Sequence, residues 1–150
     1  KAGASSVSSE RATPSTIGRI LIHGRPYCSD DPRVQALPLG VKDGKLMVAV
    51  HSECTGDPTA PAWTYNGAAQ IKANAARALP NGSEFGVSCF VDGQFVRTDA
   101  AAYGDAVGKT GSTRWLKGTT PGQDQGQEYL PWSNAGFVAL ELGGFRLPQC

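Results

Sequence analysis

Short segments in which apolar and polar residues alternate are the feature that most constrains the fold of this chain. Residues 45–54 place Leu46, Val48 and Val50 on one side of an extended backbone and the residues between them on the other. Because successive side chains of a strand point to opposite faces, this pattern predicts a half-buried strand. The preceding Asp43-Gly44 predicts a hairpin turn, since both central residues of a type I′ turn need positive φ.

Similar segments occur along the rest of the chain. Residues 84–91 and 94–98 flank Asp92-Gly93 and predict a second β-hairpin. A β-branched run over residues 16–25 predicts a first strand, and residues 136–147 predict a final strand or pair of strands. No convincing long helix separates these segments, so we expect a fold built from strands.

Two stretches are less regular. Residues 67–79 contain alanines that favour a helix, but residues 69–75 alternate as a strand does, and we predict a strand there. Residues 99–127 contain six glycines and little apolar content, which predicts a long loop.

The whole pattern predicts an all-β fold, an antiparallel β-sandwich of the immunoglobulin or transthyretin type, with a long glycine-rich loop and room for one short helix. Residues 1–15 are rich in Ser and Ala without a period, which predicts a flexible N-terminal segment. We expect residues 16–150 to form a single domain, because a chain of 150 residues is long enough to bury one core.

Four cysteines, Cys28, Cys54, Cys89 and Cys150, bear on the compartment. Their number is even and none stands in a C-x-x-C pair, so zinc-ribbon and thioredoxin-type sites lack their spacing. A disulfide at Cys150 would hold a segment that otherwise frays. Asn81 opens an N-glycosylation sequon and is a candidate glycosylation site. We therefore expect a secreted, extracellular glycoprotein with disulfide bonds.

The charge pattern argues against two classes of partner. The formal net charge is only +1, and no run of Lys and Arg is present. Nucleic-acid binding needs a cationic surface that neutralises phosphates, and a basic membrane anchor needs a polybasic cluster. We expect neither a nucleic-acid nor a membrane partner, no metal and no cofactor, and we leave a homodimer open.

The order of these features resembles the pollen Ole e 1-like proteins, whose domain is related to transthyretin-like β-sandwiches. That family often opens with a strand followed by a glycine, an aromatic residue and a cysteine, and later has a Pro-x-Gly turn before a strand that ends in cysteine. The segments that carry the resemblance are residues 20–28, 38–40 with 45–54, 79–87 and 134–137.

This resemblance implies the disulfides Cys54–Cys89 and Cys28–Cys150, and it offers no catalytic residues. The chain departs from the family in having four cysteines where the pollen proteins usually carry six, and in its long glycine-rich insert. The sequence itself leaves all three pairings of four cysteines open.

The two histidines, His23 and His51, are the basis of an enzymatic alternative. A His pKa near neutrality suits proton transfer, so the pair could serve a small secreted hydrolase such as a ribonuclease. The plainer interpretation, which we favour, is that each side chain faces solvent or bonds a backbone carbonyl. No G-x-S-x-G or H-E-x-x-H motif occurs.

Five aromatic residues lie in or beside segments predicted to be loops: Trp63, Tyr65, Trp115, Tyr129 and Trp132. Trp and Tyr on loops form binding platforms, because they present a large rigid area with a polar group. We expect Trp63 to cap the core, since Trp is usually well buried. Trp115, Trp132 and Tyr129 are the candidate ligand-binding residues, within a binding surface over residues 99–132.

These observations favour a non-enzymatic protein that recognises a glycan, a cell-wall component or an extracellular host protein. Defence, effector, allergen and immunomodulatory proteins are of this kind. The hydrolase that uses His23 and His51 is the alternative, and a purely structural wall protein is a third hypothesis.

Overall fold

Strand pairing dominates the computed structural model of this chain. The structure describes residues 21–22, 25–26, 36–50, 60–97, 111–123 and 126–150. Its strands are β1 Leu21–Ile22, β2 Arg25–Pro26, β3 Gly40–Lys42, β4 Lys45–Ala49, β5 Ala62–Tyr65, β6 Ala75–Leu79, β7 Glu84–Arg97, β8 Gly111–Thr119, β9 Glu128–Pro131, β10 Glu141–Leu142 and β11 Phe145–Arg146. The described helical elements are short 3-10 helices at Lys72–Asn74 and Trp132–Ala135.

One antiparallel sheet contains seven of these strands in the order β3-β4-β7-β8-β9-β5-β6. In a flat sheet β6 and β7 would lie about 19 Å apart, four strand spacings. The turn at residues 80–83 nevertheless joins them, and within it the Ser83 N–H donates to the Pro80 carbonyl at 3.1 Å. The sheet therefore curls, so that the apolar sides of its two halves face each other. The predicted all-β, sandwich-like fold is confirmed.

The core lies on the concave side of this sheet. Leu46, Val48 and Val50 are fully buried there, which confirms the face predicted from their spacing. Because the sheet curls, residues from both of its halves pack into one cluster. The other buried members are Ala62, Leu79, Phe85, Val87, Leu116, Leu130, Ala135, Val138 and Leu147.

The first predicted hairpin is also confirmed. Lys42 of β3 lies opposite Lys45 of β4. Between them Asp43 and Gly44 have φ of 53° and 76°, the left-handed pair that the turn requires.

The second predicted hairpin is wrong. β7 runs through Asp92-Gly93 as a single strand and pairs with β8. From Asp92 to Val96 the chain of β7 advances four residues while the paired chain of β8 advances two. This mismatch is a β-bulge in β7. A Cβ on Gly93 would collide with Ala68 and lie 3.0 Å from Cδ1 of Trp115. Glycine is needed here because another segment approaches the backbone closely, and not because the chain turns.

The glycine-rich loop predicted over residues 99–127 is wrong for residues 111–119, whereas the described residues 120–123 and 126–127 lie outside the strands, as predicted. Residues 111–119 form β8, which lies between β7 and β9 in the sheet. A Cβ on Gly118 would collide with the Gly86 carbonyl of β7. Gly118 is therefore required by the close packing of β7 and β8. Residues 98–110 lie outside the described residues.

The remaining predictions are partly right. Of residues 67–79, only 75–79 form a strand, because a bend and the first 3-10 helix occupy the preceding positions. Of residues 136–147, two short strands form the hairpin of β10 and β11. Within the predicted first strand, residues 21–22 pair antiparallel with residues 25–26, so these residues do not belong to one continuous strand.

The disulfide pairing implied by the family resemblance is wrong. Cys89 of β7 is bonded to Cys150, which excludes both Cys54–Cys89 and Cys28–Cys150. The Phe90 N–H donates to the Pro148 carbonyl at 3.0 Å, and the Cys150 N–H donates to the Phe90 carbonyl at 2.8 Å. The C-terminal residues thus pair with β7 directly beside the disulfide. Cys28 and Cys54 lie outside the described residues.

Candidate functional site

The convex side of the sheet carries a group of aromatic residues. Along β5, Ala62 and Thr64 are buried against the core, so the alternate residues Trp63 and Tyr65 point to the convex side. Tyr65 lies opposite Tyr129 of β9, and Tyr129 lies opposite Lys117 of β8. We call Trp63, Tyr65, Tyr129 and Lys117 the aromatic face.

Trp63 is the exposed member of the aromatic face. Its side chain is 44% exposed, while Tyr65, Tyr129 and Lys117 are half-buried. The Lys117 Nζ lies 5.4 Å from the centre of the Tyr129 ring, within the range of a cation–π contact. The expectation that Trp63 caps the core is therefore wrong. The alternation of Ala62, Trp63, Thr64 and Tyr65 was the signal that could have placed it on the outside.

Trp115 lies two residues before Lys117 on β8 and therefore on the same side of the sheet as the aromatic face, but it is covered and 0% exposed. Its ring meets Tyr65 edge to face, with 5.7 Å between centres and 82° between planes. Its Nε1–H donates to the Gln94 carbonyl at 2.9 Å, and the Gln94 N–H donates to the Ala68 carbonyl at 2.9 Å. The prediction that Trp115 lies in a glycine-rich loop and contacts a ligand does not agree with the structure, because Trp115 lies in β8, is fully buried and packs against Tyr65.

Burial also affects the phenol of Tyr65. Desolvation raises its pKa above the ordinary value, although a hydrogen bond with the Gln70 side chain lowers it in part. The phenol is therefore neutral throughout the physiological range and is able both to donate and to accept a hydrogen bond.

Trp132 lies outside the aromatic face to which Tyr129 belongs. It begins the second 3-10 helix and packs against the core. Its Nε1–H donates to the Val138 carbonyl at 2.8 Å, and the Arg114 guanidinium lies 4.5 Å from its ring centre. The Phe137 ring meets it edge to face at 5.1 Å. The structure thus does not bring Trp132 into the aromatic face, and of the three predicted ligand-binding residues only Tyr129 lies there.

A separate polar group, the ion pair of Arg77 and Glu128, lies at the edge of the concave side of the sheet. The Glu128 carboxylate accepts hydrogen bonds from Thr64 Oγ1 at 2.7 Å and from Arg77 Nη2 at 2.8 Å. Burial raises the Glu128 pKa, but the bonds from Arg77 and Thr64 and the charge of Arg77 outweigh burial and lower it. The same ion pair raises the Arg77 pKa.

The cleft beside this ion pair has a volume of about 420 Å³, and Asn66 and Gln127 are among its lining residues. Glu128 is the one acid among the described residues that line it. Glycoside hydrolysis uses two carboxylates, and Glu128 is engaged with Arg77 and Thr64, so we assign the pair a role in holding β5, β6 and β9 together.

The other candidates from the sequence are placed as follows. His23 and His51 lie outside the described residues. Asn81 is half-buried in the turn between β6 and β7. In the part of the chain that the structure describes, no three His, Cys, Asp or Glu side chains are grouped as metal ligands would be. None of the helices described there has the length and apolar character needed to cross a membrane.

Comparison with protein-family models, with curated proteins and with solved structures finds no match to this chain. The resemblance to the pollen Ole e 1-like proteins therefore gains no support from a family match, and the functional argument rests on the geometry above.

Proposed function

We propose that this protein is an extracellular carbohydrate-binding protein that recognises a glycan through its aromatic face. The observation that carries the proposal is the 44% exposure of Trp63 on a strand whose next outward residue, Tyr65, lies beside Tyr129. A single exposed apolar side chain is ordinary on a protein surface, but an exposed indole on the same side of the sheet as two tyrosine rings contributes to an aromatic patch, and contiguous apolar patches are typical of binding sites.

The aromatic face has the rigidity that recognition requires. Its rings project from paired strands, where neighbouring backbones are held about 4.8 Å apart. The buried Trp115 packs against Tyr65, so the position of this ring is set before a ligand arrives. Aromatic rings present a flat apolar surface for the C–H groups of a sugar, and the phenols of Tyr65 and Tyr129 supply hydrogen bonds.

An extracellular location is supported by the Cys89–Cys150 disulfide, because such bonds persist in oxidising compartments. The sequon at Asn81 lies in a turn, where Gly82 has a φ of 87°. A turn between strands is a surface position that suits attachment of a glycan.

A glycan array probed with the oxidised native protein tests the proposal. We expect binding to one glycan class, and we expect Trp63→Ala to weaken that binding about tenfold or more, as truncation of an aromatic anchor does. Leu37→Ala is the matched control, because Leu37 is 52% exposed and lies outside the aromatic face. Equal binding by Trp63→Ala and the native protein would remove the aromatic face from consideration. Binding to no glycan at all would favour a protein partner.

A further inference from the structure

A hollow of about 250 Å³ lies on the convex side of the sheet, the side that also carries the aromatic face. Gly86 of β7 forms part of its wall, opposite Met47 of β4 and Thr119 of β8. A Cβ on Gly86 would lie 3.2 Å from Cδ of Lys45 and 3.3 Å from Sδ of Met47. The absence of a side chain at this position therefore lets Lys45 and Met47 pack closely over the backbone of β7, and a Cβ here would displace them.

Two cations border the hollow. Lys42 and Lys45 face each other directly across β3 and β4. The Lys45 Nζ donates to Thr119 Oγ1 at 2.9 Å, which holds the ammonium at the hollow. Like charges placed directly opposite on paired strands destabilise a sheet, and Asp43 is the one carboxylate among the described lining residues. An anion between the lysines would offset their repulsion.

The hollow also contains a buried polar atom without a partner. Thr120 lines it, and Thr120 Oγ1 has no hydrogen-bond partner within the described structure. A buried hydroxyl that lacks a partner costs free energy, and an unsatisfied one in a native structure calls for a ligand or a water. The ammonium groups of Lys42 and Lys45, which line the hollow, are donors that match a carboxylate or a sulfate.

The hollow and the aromatic face form one surface. Thr119, at the edge of the hollow, and Lys117, over Tyr129, lie two residues apart on β8 and therefore on the same side of the sheet. Two residues of a strand span about 6.8 Å. Cations thus follow one another from the hollow to the tyrosines.

We propose that the glycan bound by this protein is an acidic polysaccharide, whose carboxylate or sulfate group enters the hollow between Lys42 and Lys45 while its sugar rings lie on the aromatic face. This inference rests on the proposed function and adds the chemical class of the ligand. Lys117 makes a second contact with the charged chain.

Calorimetric titration with matched oligosaccharides tests it. The probes are hexagalacturonate and its full methyl ester, which differ in carboxylate charge, and a kappa-carrageenan hexasaccharide and its desulfated form, which differ in sulfate charge. We expect one charged probe to bind about tenfold more tightly than its uncharged counterpart, as charge-assisted hydrogen bonds do. Which pair shows the difference distinguishes a carboxylate from a sulfate.

Three variants locate the effect. The double variant Lys42→Gln/Lys45→Gln removes the cations, and Gly86→Ala narrows the hollow while keeping them, so both should lose the preference for the charged probe. Lys72→Gln is the control, because it removes one exposed lysine from the first 3-10 helix, away from the hollow.

The outcomes separate the two proposals. Equal binding of charged and uncharged probes, or a preference that survives in the double variant, overturns the acidic ligand. The proposed function then stands if Trp63→Ala still weakens binding of the uncharged probes. If no probe binds, the proposal of an acidic polysaccharide ligand is overturned. The proposal of glycan recognition is then decided by the glycan array described above.

Discussion

The indole Nε1–H of Trp115 donates a hydrogen bond to the main-chain carbonyl of Gln94 at 2.9 Å, from a side chain with no exposed surface. This bond joins β8 to the bulge in β7, and the Gln94 N–H in turn bonds the Ala68 carbonyl. One buried ring therefore ties together β7, β8 and the segment that follows β5, on the side of the sheet that carries the aromatic face.

Replacement of Trp115 should show how much this arrangement contributes to stability. Trp115→Phe keeps an aromatic ring but leaves the Gln94 carbonyl without its donor, so we expect a loss of about 1–3 kcal/mol in the free energy of unfolding. Trp115→Ala adds a cavity and should cost about 3–5 kcal/mol. Urea denaturation measures both. Trp63→Phe, at an exposed position, serves as control and should change stability by less than about 0.5 kcal/mol.

Gly93 and Gly126 provide a matched pair of glycine substitutions. A Cβ at Gly93 collides with Ala68, whereas a Cβ at Gly126 meets nothing within 4 Å. We expect Gly93→Ala to destabilise the fold by about 1–3 kcal/mol, as overpacking does, and Gly126→Ala to change it by less than about 0.5 kcal/mol. Equal effects in thermal or urea unfolding would contradict the close approach of the Ala68 segment to β7.

The Glu128 carboxylate should give the stability a defined pH dependence. Its pKa is lowered in the folded protein by Arg77 and Thr64, so its contribution is present above the unfolded-state pKa of about 4.3 and is lost as the pH falls through the folded-state value. Glu128→Gln should cost about 2 kcal/mol at pH 7.

The difference between native protein and Glu128→Gln should therefore shrink as the pH falls from 5 towards 2. Urea midpoints at several pH values measure it. A difference that stays constant over this range would show that the carboxylate titrates alike in the folded and unfolded chains.

Disulfide mapping should find Cys89 linked to Cys150. Once these two are joined, the remaining cysteines, Cys28 and Cys54, have only each other as intramolecular partners, and we predict that bond. Mass spectrometry of a non-reduced digest tests both, and a peptide that links Cys54 to Cys89 would contradict the structure. Because the Cys89–Cys150 loop has a sequence separation of 61, Cys150→Ser should cost about 4 kcal/mol in the chain-entropy model.

The candidate site was only partly predictable from the sequence. The aromatic residues stood out by their type, but Trp63 was expected inside and Trp115 outside, and the structure reverses both. Alternation assigns a residue to one side of a strand, but it does not say whether another segment covers that side. Trp115 is covered because Tyr65 and residues near Gln94 pack over it, and these contacts join parts of the chain that are distant in sequence.

The local properties of this protein follow from its sequence alone. The spacing of Leu46, Val48 and Val50 decided which side of β4 is buried, and Asp43-Gly44 decided where the first hairpin turns, because both depend on neighbouring residues alone. The tertiary structure decided which strands pair, that Gly93 lies in a bulge, and which cysteine bonds Cys89. These outcomes depend on contacts between distant segments. The residue type of a glycine or a cysteine does not specify which segment will lie against it.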